Sequence, residues 1–192
     1  GFRGSNNVVR GTKTGAYNVY GDYPEFIQQQ PMDILQGRFI NYGDINQRRK
    51  VAVIGEGVIR DLYAPGENVL GSYIKVQGIN FLIVGVYKSI SNMGGDAEES
   101  QKQVFIPFTT FQQAFNYGDV VGWMTITAKD NVPITDVKQS VFDLLKQRHN
   151  VDPTDERAIG HFDLYQEFKK INGLFAILTT VSYVVGIFIL GS

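Results

Sequence analysis

Apolar residues follow two periods along this chain, and the changes between them mark its elements. Val51-Ala52-Val53-Ile54 is a continuous apolar run bounded by Gly55, the mark of a buried strand, and Val58, Ile59 and Leu62 follow at helical spacing. A strand-turn-helix unit is predicted there. Tyr73 to Val76 and Phe81 to Val86 read as two strands separated by Gln77-Gly78-Ile79-Asn80, a hairpin signal. Val104-Phe105-Ile106 reads as a strand ended by Pro107, and Thr109 followed by Gln112 predicts a capping box for a helix through Phe115. Trp123 to Ala128 alternates as a strand. After Pro133, the residues Ile134, Val137, Val141, Leu144 and Leu145 place one apolar stripe on a helix ending near His149, and that stripe is expected to face a sheet.

The first third is less regular. Residues 1–15 are rich in Gly, Asn and Thr and predict a connector or one short strand. Ala16 to Tyr20 predicts a strand, Tyr23 to Gln30 a short helix, and Ile34 to Ile40 an extended stretch with a Gly-Arg-Phe turn. Asp44 to Lys50 reads as a polar loop. Ser89 to Lys102 is polar, acidic and Gly-rich, and is expected to be the most mobile segment. Phe162 to Tyr165 predicts a last short strand. The mixture defines an α+β chain.

The end of the chain changes the picture. Gly173 to Leu190 carries no charge, and as a helix it would reach roughly 27 Å, against a bilayer core of about 30 Å. It predicts a membrane span, preceded by Lys169 and Lys170 at headgroup level; the alternative is a buried core helix. Phe168, Ile171, Leu174 and Phe175 lead into the run at helical spacing, so residues 169–192 are expected to form a junction helix and the start of a transmembrane helix. The chain begins with Gly1, Phe2 and Arg3, without an initiator Met or signal peptide, and is expected to be a piece of a longer protein.

Composition narrows the function classes. Lys plus Arg total 18 against 19 Asp plus Glu, so no basic field gathers nucleic acid. With 43% hydrophobic residues the chain can build a core. The absence of cysteine removes disulfides and thiolate metal sites, and suits a periplasmic or a cytosolic location equally.

Candidate chemistry is sparse. Gly55-Glu56-Gly57 between a strand and a helix resembles a dinucleotide-binding turn, but Arg60 occupies the place of its third glycine, and no phosphate loop occurs anywhere. The two glycines are read as allowing a tight turn. His149 and His161, with Asp152, Asp155 and Glu156, match neither zinc spacing nor a calcium loop. Asp96, Glu98 and Glu99 read as a hydrated loop. No nucleophile stands beside a base, so neither an enzyme, a metal site nor a cofactor is expected.

Taken together, Gly37-Arg38-Phe39, Asp44, Val51-Ala52-Val53-Ile54-Gly55, Leu62-Tyr63, Gly71 with Ile74, Phe81 with Val84-Gly85-Val86, Phe105-Ile106-Pro107 and His149 resemble the periplasmic core domain of MacB-like ABC transporter permeases, with FtsX-like proteins as relatives. The resemblance covers roughly residues 16–185. Tyr63 stands where Phe is commoner, and Val69 where Pro is usual. It implies that Gly37, Arg38, Asp44, Gly55, Gly71, Gly85 and Pro107 hold structural positions. It further implies a mixed α/β, porter-like membrane-proximal subdomain from residues 1–34 and 123–168, and an inserted, mostly β, Sabre-like subdomain from 35–122. The implied setting is a bacterial inner membrane, with this domain on the extracytoplasmic side between the first and second of four helices. The implied partners are a second permease copy or paralogue, a cytoplasmic ABC ATPase, and a periplasmic adaptor with an outer-membrane channel. The implied role is transmission of ATP-driven movement to a substrate outside the membrane; the alternative is an FtsX-like regulator of cell-wall hydrolases.

Overall fold

A computed structural model describes residues 1–90, 97–129 and 131–160. The chain divides into two units, Gly1–Thr125 and Ile126–Ser192.

The first unit opens with a hairpin, β1 (Phe2–Arg10) and β2 (Lys13–Asp22), paired in continuous antiparallel register from Phe2↔Gly21 to Arg10↔Lys13. Of the connector or one short strand expected over residues 1–15, the strand is what forms, and it is longer than expected, with β2 already begun at Lys13. Its period was hidden because an inward position of β1 carries Asn6, which is buried with its amide on the Gly4 carbonyl and the Gln77 side chain. Alternation survives in the burial of Phe2, Asn6 and Val8.

The chain continues through a single turn, α1 (Phe26–Gln29), then β3 (Met32–Gly37), α2 (Tyr42–Asn46), β4 (Val51–Gly55) and α3 (Glu56–Leu62). Next come β5 (Tyr73–Val76), β6 (Ile79–Ser89), α4 (Ala97–Gln101), β7 (Gln103–Pro107) and α5 (Phe108–Ala114). The expected loop at 44–50 contains the end of α2, because Asn41 caps it: its side chain accepts from the Asp44 amide while the Asp44 carboxylate accepts from the Asn41 amide. The box expected at Thr109 and Gln112 does not form. Pro107 caps α5, and the Thr109 hydroxyl donates to the Ile45 carbonyl instead. α4 falls within the segment expected to be loop, and residues 91–96 of that segment lie outside the described residues.

All seven strands join one sheet in the order β3-β6-β4-β7-β2-β1-β5, and β5 pairs with β6 as well. That extra pairing closes six of the strands into a ring, with β3 added alongside the later half of β6. β2–β7 and β4–β6 are parallel, and every other pair is antiparallel. The β5–β6 turn is tight, with Gln77 at φ 47° and Gly78 at φ 85°, as a two-residue hairpin of matching twist requires. β4 and β7 are buried at every position, so they read as unbroken apolar runs. Phe105 lies at the centre, with the rings of Tyr20, Phe39 and Tyr87 at centroid distances of 5.3, 5.7 and 5.4 Å.

β1 and β2 complete the same sheet as β4 to β7. Trp123 to Ala128 forms no strand: Trp123 makes one reciprocal backbone pair with Gly1 (2.7 and 3.1 Å), and its neighbours find no ladder.

In the second unit, α6 (Ile134–Arg148) follows Pro133 as the stripe predicts, with Lys146 and Arg148 at its negative end. No residue of α6 is buried, and Leu144 is exposed. Phe162 to Tyr165, Phe168, Ile171, Leu174, Phe175 and the run from Gly173 to Leu190 lie outside the described residues, and among those described no helix is long and apolar enough to cross a membrane.

Candidate functional site

Four of the singled-out residues meet at one corner. Gly37 ends β3 at φ 72°, a conformation that favours glycine. A side-chain carbon on Gly37 would strike the Val84 carbonyl, and one on the facing Gly85 would strike the Arg38 carbonyl. Both are glycine because the two backbones touch. This contact turns Arg38 back toward α2, where its Nη1 and Nη2 donate to the two Asp44 carboxylate oxygens at 2.5 and 2.9 Å. Asp44 is fully buried, accepts also from the Asn41 amide at 3.0 Å, and has Arg49 at 3.6 Å. Burial alone would raise its carboxyl; the hydrogen bonds from Arg38 and Asn41 and the two guanidinium charges outweigh it and hold the group below its usual range.

The other singled-out positions serve the same framework. A side chain on Gly55 would meet the Gln101 carbonyl, so the glycine after β4 lets α4 approach. Gly71, at φ 78°, turns the chain so that its amide bonds the Ile83 carbonyl at 2.9 Å. Pro107 ends β7 opposite Asp22. The two departures from the family pattern are both built in: the Tyr63 hydroxyl bonds Ser72 Oγ at 2.7 Å with Arg10 stacked 3.9 Å over its ring, and Val69 joins the core.

Charged residues gather on an open face lined by Ser5, Tyr17, Asn18, Glu98, Glu99 and Lys102. Lys102 bridges Asp61 (3.5 Å) and Glu98 (3.1 Å), while Glu99 bridges Arg3 (3.7 Å) and accepts from Asn18 (2.9 Å). Glu98 and Glu99 are thus occupied by the protein's own cations, and the face ties α4 to α3 and the first hairpin. In the second unit, Asp152 accepts from the Thr154 amide and hydroxyl, Asp155 accepts from the Arg157 amide, and His149 closes α6 through its amide on Leu145. These acids organise turns. Among the described residues no group of three or more His, Cys, Asp or Glu is placed to hold a metal; Asp96 and His161 lie outside them.

Sequence reasoning missed Asp22. It is buried, with Oδ2 holding no hydrogen bond among the described residues, and burial pushes its carboxyl up to about 7. An acid ending a strand of alternating pattern carries no mark of such burial. Asn41 was missed as well, although an Asn three residues before an acid is a helix-start signal.

The comparisons with known proteins give this framework its relatives. Residues 2–143 match the model of the MacB-like periplasmic core domain, and the chain belongs to that family. The pyoverdine export ATP-binding/permease protein PvdT of Pseudomonas putida is 28% identical over 148 residues, 76% of this chain and 22% of that protein. The macrolide export ATP-binding/permease protein MacB of Bdellovibrio bacteriovorus is 25% identical over 191 residues, 95% of this chain and 29% of that protein. The chain thus spans under a third of the length of these relatives. The crystal structure of the periplasmic region of MacB from Actinobacillus actinomycetemcomitans superposes with a TM-score of 0.66 at 25% identity, over 78% of this chain and 65% of that one. The extracellular domain of the transporter YknZ from Gram-positive bacteria shares the fold, with a TM-score of 0.64 at 14% identity over 79% of this chain and 74% of that one.

Two outcomes follow. Asp44→Ala leaves Arg38 and Arg49 facing an empty corner; because both are partly exposed the cost is about 2 kcal/mol, below that of breaking a fully buried pair. Urea denaturation reads it, and the loss should fade in acid, since a carboxyl held low stabilises above its unfolded pKa and ceases to do so as pH falls through its folded one. Asp22 has the opposite sign. Its folded form holds a proton that the unfolded chain releases near pH 4, so stability should fall as pH rises from about 4 to about 7. Asp22→Asn should remove that slope and raise stability at pH 8 by on the order of 2 kcal/mol, read from melting curves across pH.

Proposed function

We propose that this chain is the extracytoplasmic domain of an ABC transporter permease and that it transmits movement driven by ATP in the cytoplasm to a substrate outside the membrane. The observation that supports this most is the family match across residues 2–143, joined to a fold shared with the periplasmic region of MacB. The ATPase belongs outside this chain, fused or separate, a reading supported by relatives named as ATP-binding/permease proteins. The protein sits in a bacterial inner membrane with this domain outside, paired with a second permease copy or paralogue, and served by an adaptor and an outer-membrane channel.

The first unit suits transmission because it resists bending. A ring of strands has few edges at which to open, so a displacement applied to it moves the unit as one body. In this reading the drive enters by way of Phe168, Ile171, Leu174 and Phe175, which recur at helical spacing into the expected span at 173–190. In this reading the porter-like, membrane-proximal part is residues 1–34 and 123–168, and the inserted, mostly β, Sabre-like part is residues 35–122.

Phe168→Pro, placed in the full permease with its ATPase in proteoliposomes, should abolish transport while nucleotide binding by the ATPase is retained, because proline interrupts the helix. Transport at the original rate would overturn the rigid link.

A further inference from the structure

A second depression on the first unit, away from the charged face, is lined by Phe26, Gln29, Gln30, Ser100, Gln103 and Thr125. None of these six is charged, and five carry an amide or hydroxyl able both to donate and to accept. Gln30 donates to Gln103 at 3.1 Å, which fixes one wall; among the described residues the side chains of Gln29, Ser100 and Thr125 hold no hydrogen bond within the protein. Phe26 supplies an aromatic surface, steadied by Phe105 at 5.4 Å, Trp123 at 5.9 Å and Tyr20 at 6.3 Å.

From this lining we infer that the depression is a binding site for a neutral glycan. The absence of charge among the described lining residues disfavours an anionic or cationic ligand, which would be stripped of water without a counter-charge. An extended peptide would be held by a free strand edge, but β7, which contributes Gln103, is flanked on both sides by β2 and β4. What the site offers is side-chain amides and hydroxyls around a ring, which suits hydroxyl-rich sugar edges and the apolar face of a pyranose. The site lies apart from the Arg38–Asp44 corner, and the inference does not depend on the transport reading.

Trp123 is the one tryptophan of the chain and packs edge-on against Phe26, so its fluorescence reports on the site. Titration of the chain with a tetramer of N-acetylglucosamine should give a saturable change in emission. The double variant Gln29→Ala, Thr125→Ala, checked for unchanged circular dichroism, should bind at least about tenfold more weakly, the worth of one or two hydrogen bonds. A sulfated tetramer and an uncharged Gly-Ser peptide should bind more weakly than the neutral sugar. No saturable change, a change that the double variant leaves intact, or tighter binding of the peptide or the sulfated sugar would each overturn the inference.

Discussion

The fold depends on a short stretch of pairing: Val8 and Val9 against Val76 and Lys75 join the first hairpin to β5, while β5 is held along its other edge by β6 from Tyr73↔Leu82 to Val76↔Ile79. Without that seam the sheet would be open, with β1 and β6 exposing unpaired backbone. With it, Val8, Ile74, Val76 and Phe81 become fully or nearly fully buried. The seam is made possible by the Gln77-Gly78 turn, which sends β6 back at once, and by Gln77 bonding to Asn6 inside the hairpin.

From the closed ring the rest follows in sequence. β4 and β7 lie inside the sheet and carry only buried residues, which frees the outer positions of β3 and α2 to build the Arg38–Asp44 corner. The Gly37–Gly85 approach sets the angle at which Arg38 leaves β3, and the capped α2 presents Asp44 to it. On another side, the glycine at 55 brings α4 close enough for Tyr87 to bond the Ser100 carbonyl and for Lys102 to reach Asp61. The result is a framework of paired charges that ties α2, α3 and α4 to the sheet.

Strands with unbroken apolar runs, β4 and β7, and the β5–β6 hairpin were legible because burial on both faces, or a Gly in a two-residue turn, leaves a mark in the sequence. β1 was not, because Asn6 and Gly4 fall within it and a polar side chain satisfied by the fold looks like a loop residue. The segment expected as a strand from Trp123 onward alternates in sequence but forms no ladder beyond the Trp123–Gly1 pair among the described residues. Arg38 and Asp44 were recognisable from the family pattern, yet the bidentate geometry that joins them is set by Gly37, Gly85 and Asn41, and sequence spacing does not show it. The parallel pairings of β2 with β7 and β4 with β6 join segments far apart in the chain, which local periodicity does not encode.

The central claim is that the first unit moves as a rigid body when the ATPase binds nucleotide. The chain has no cysteine, so Tyr73 and Val121, both exposed, can be replaced by cysteine and spin-labelled one at a time or together. Pulsed electron resonance on the paired permease in lipid nanodiscs, with its ATPase, then reads two distances. The account predicts that the separation between Tyr73 labels on two copies changes when an ATP analogue is added, while the Tyr73 to Val121 separation within one copy stays the same. An unchanged separation between copies, or a change within one, would contradict it.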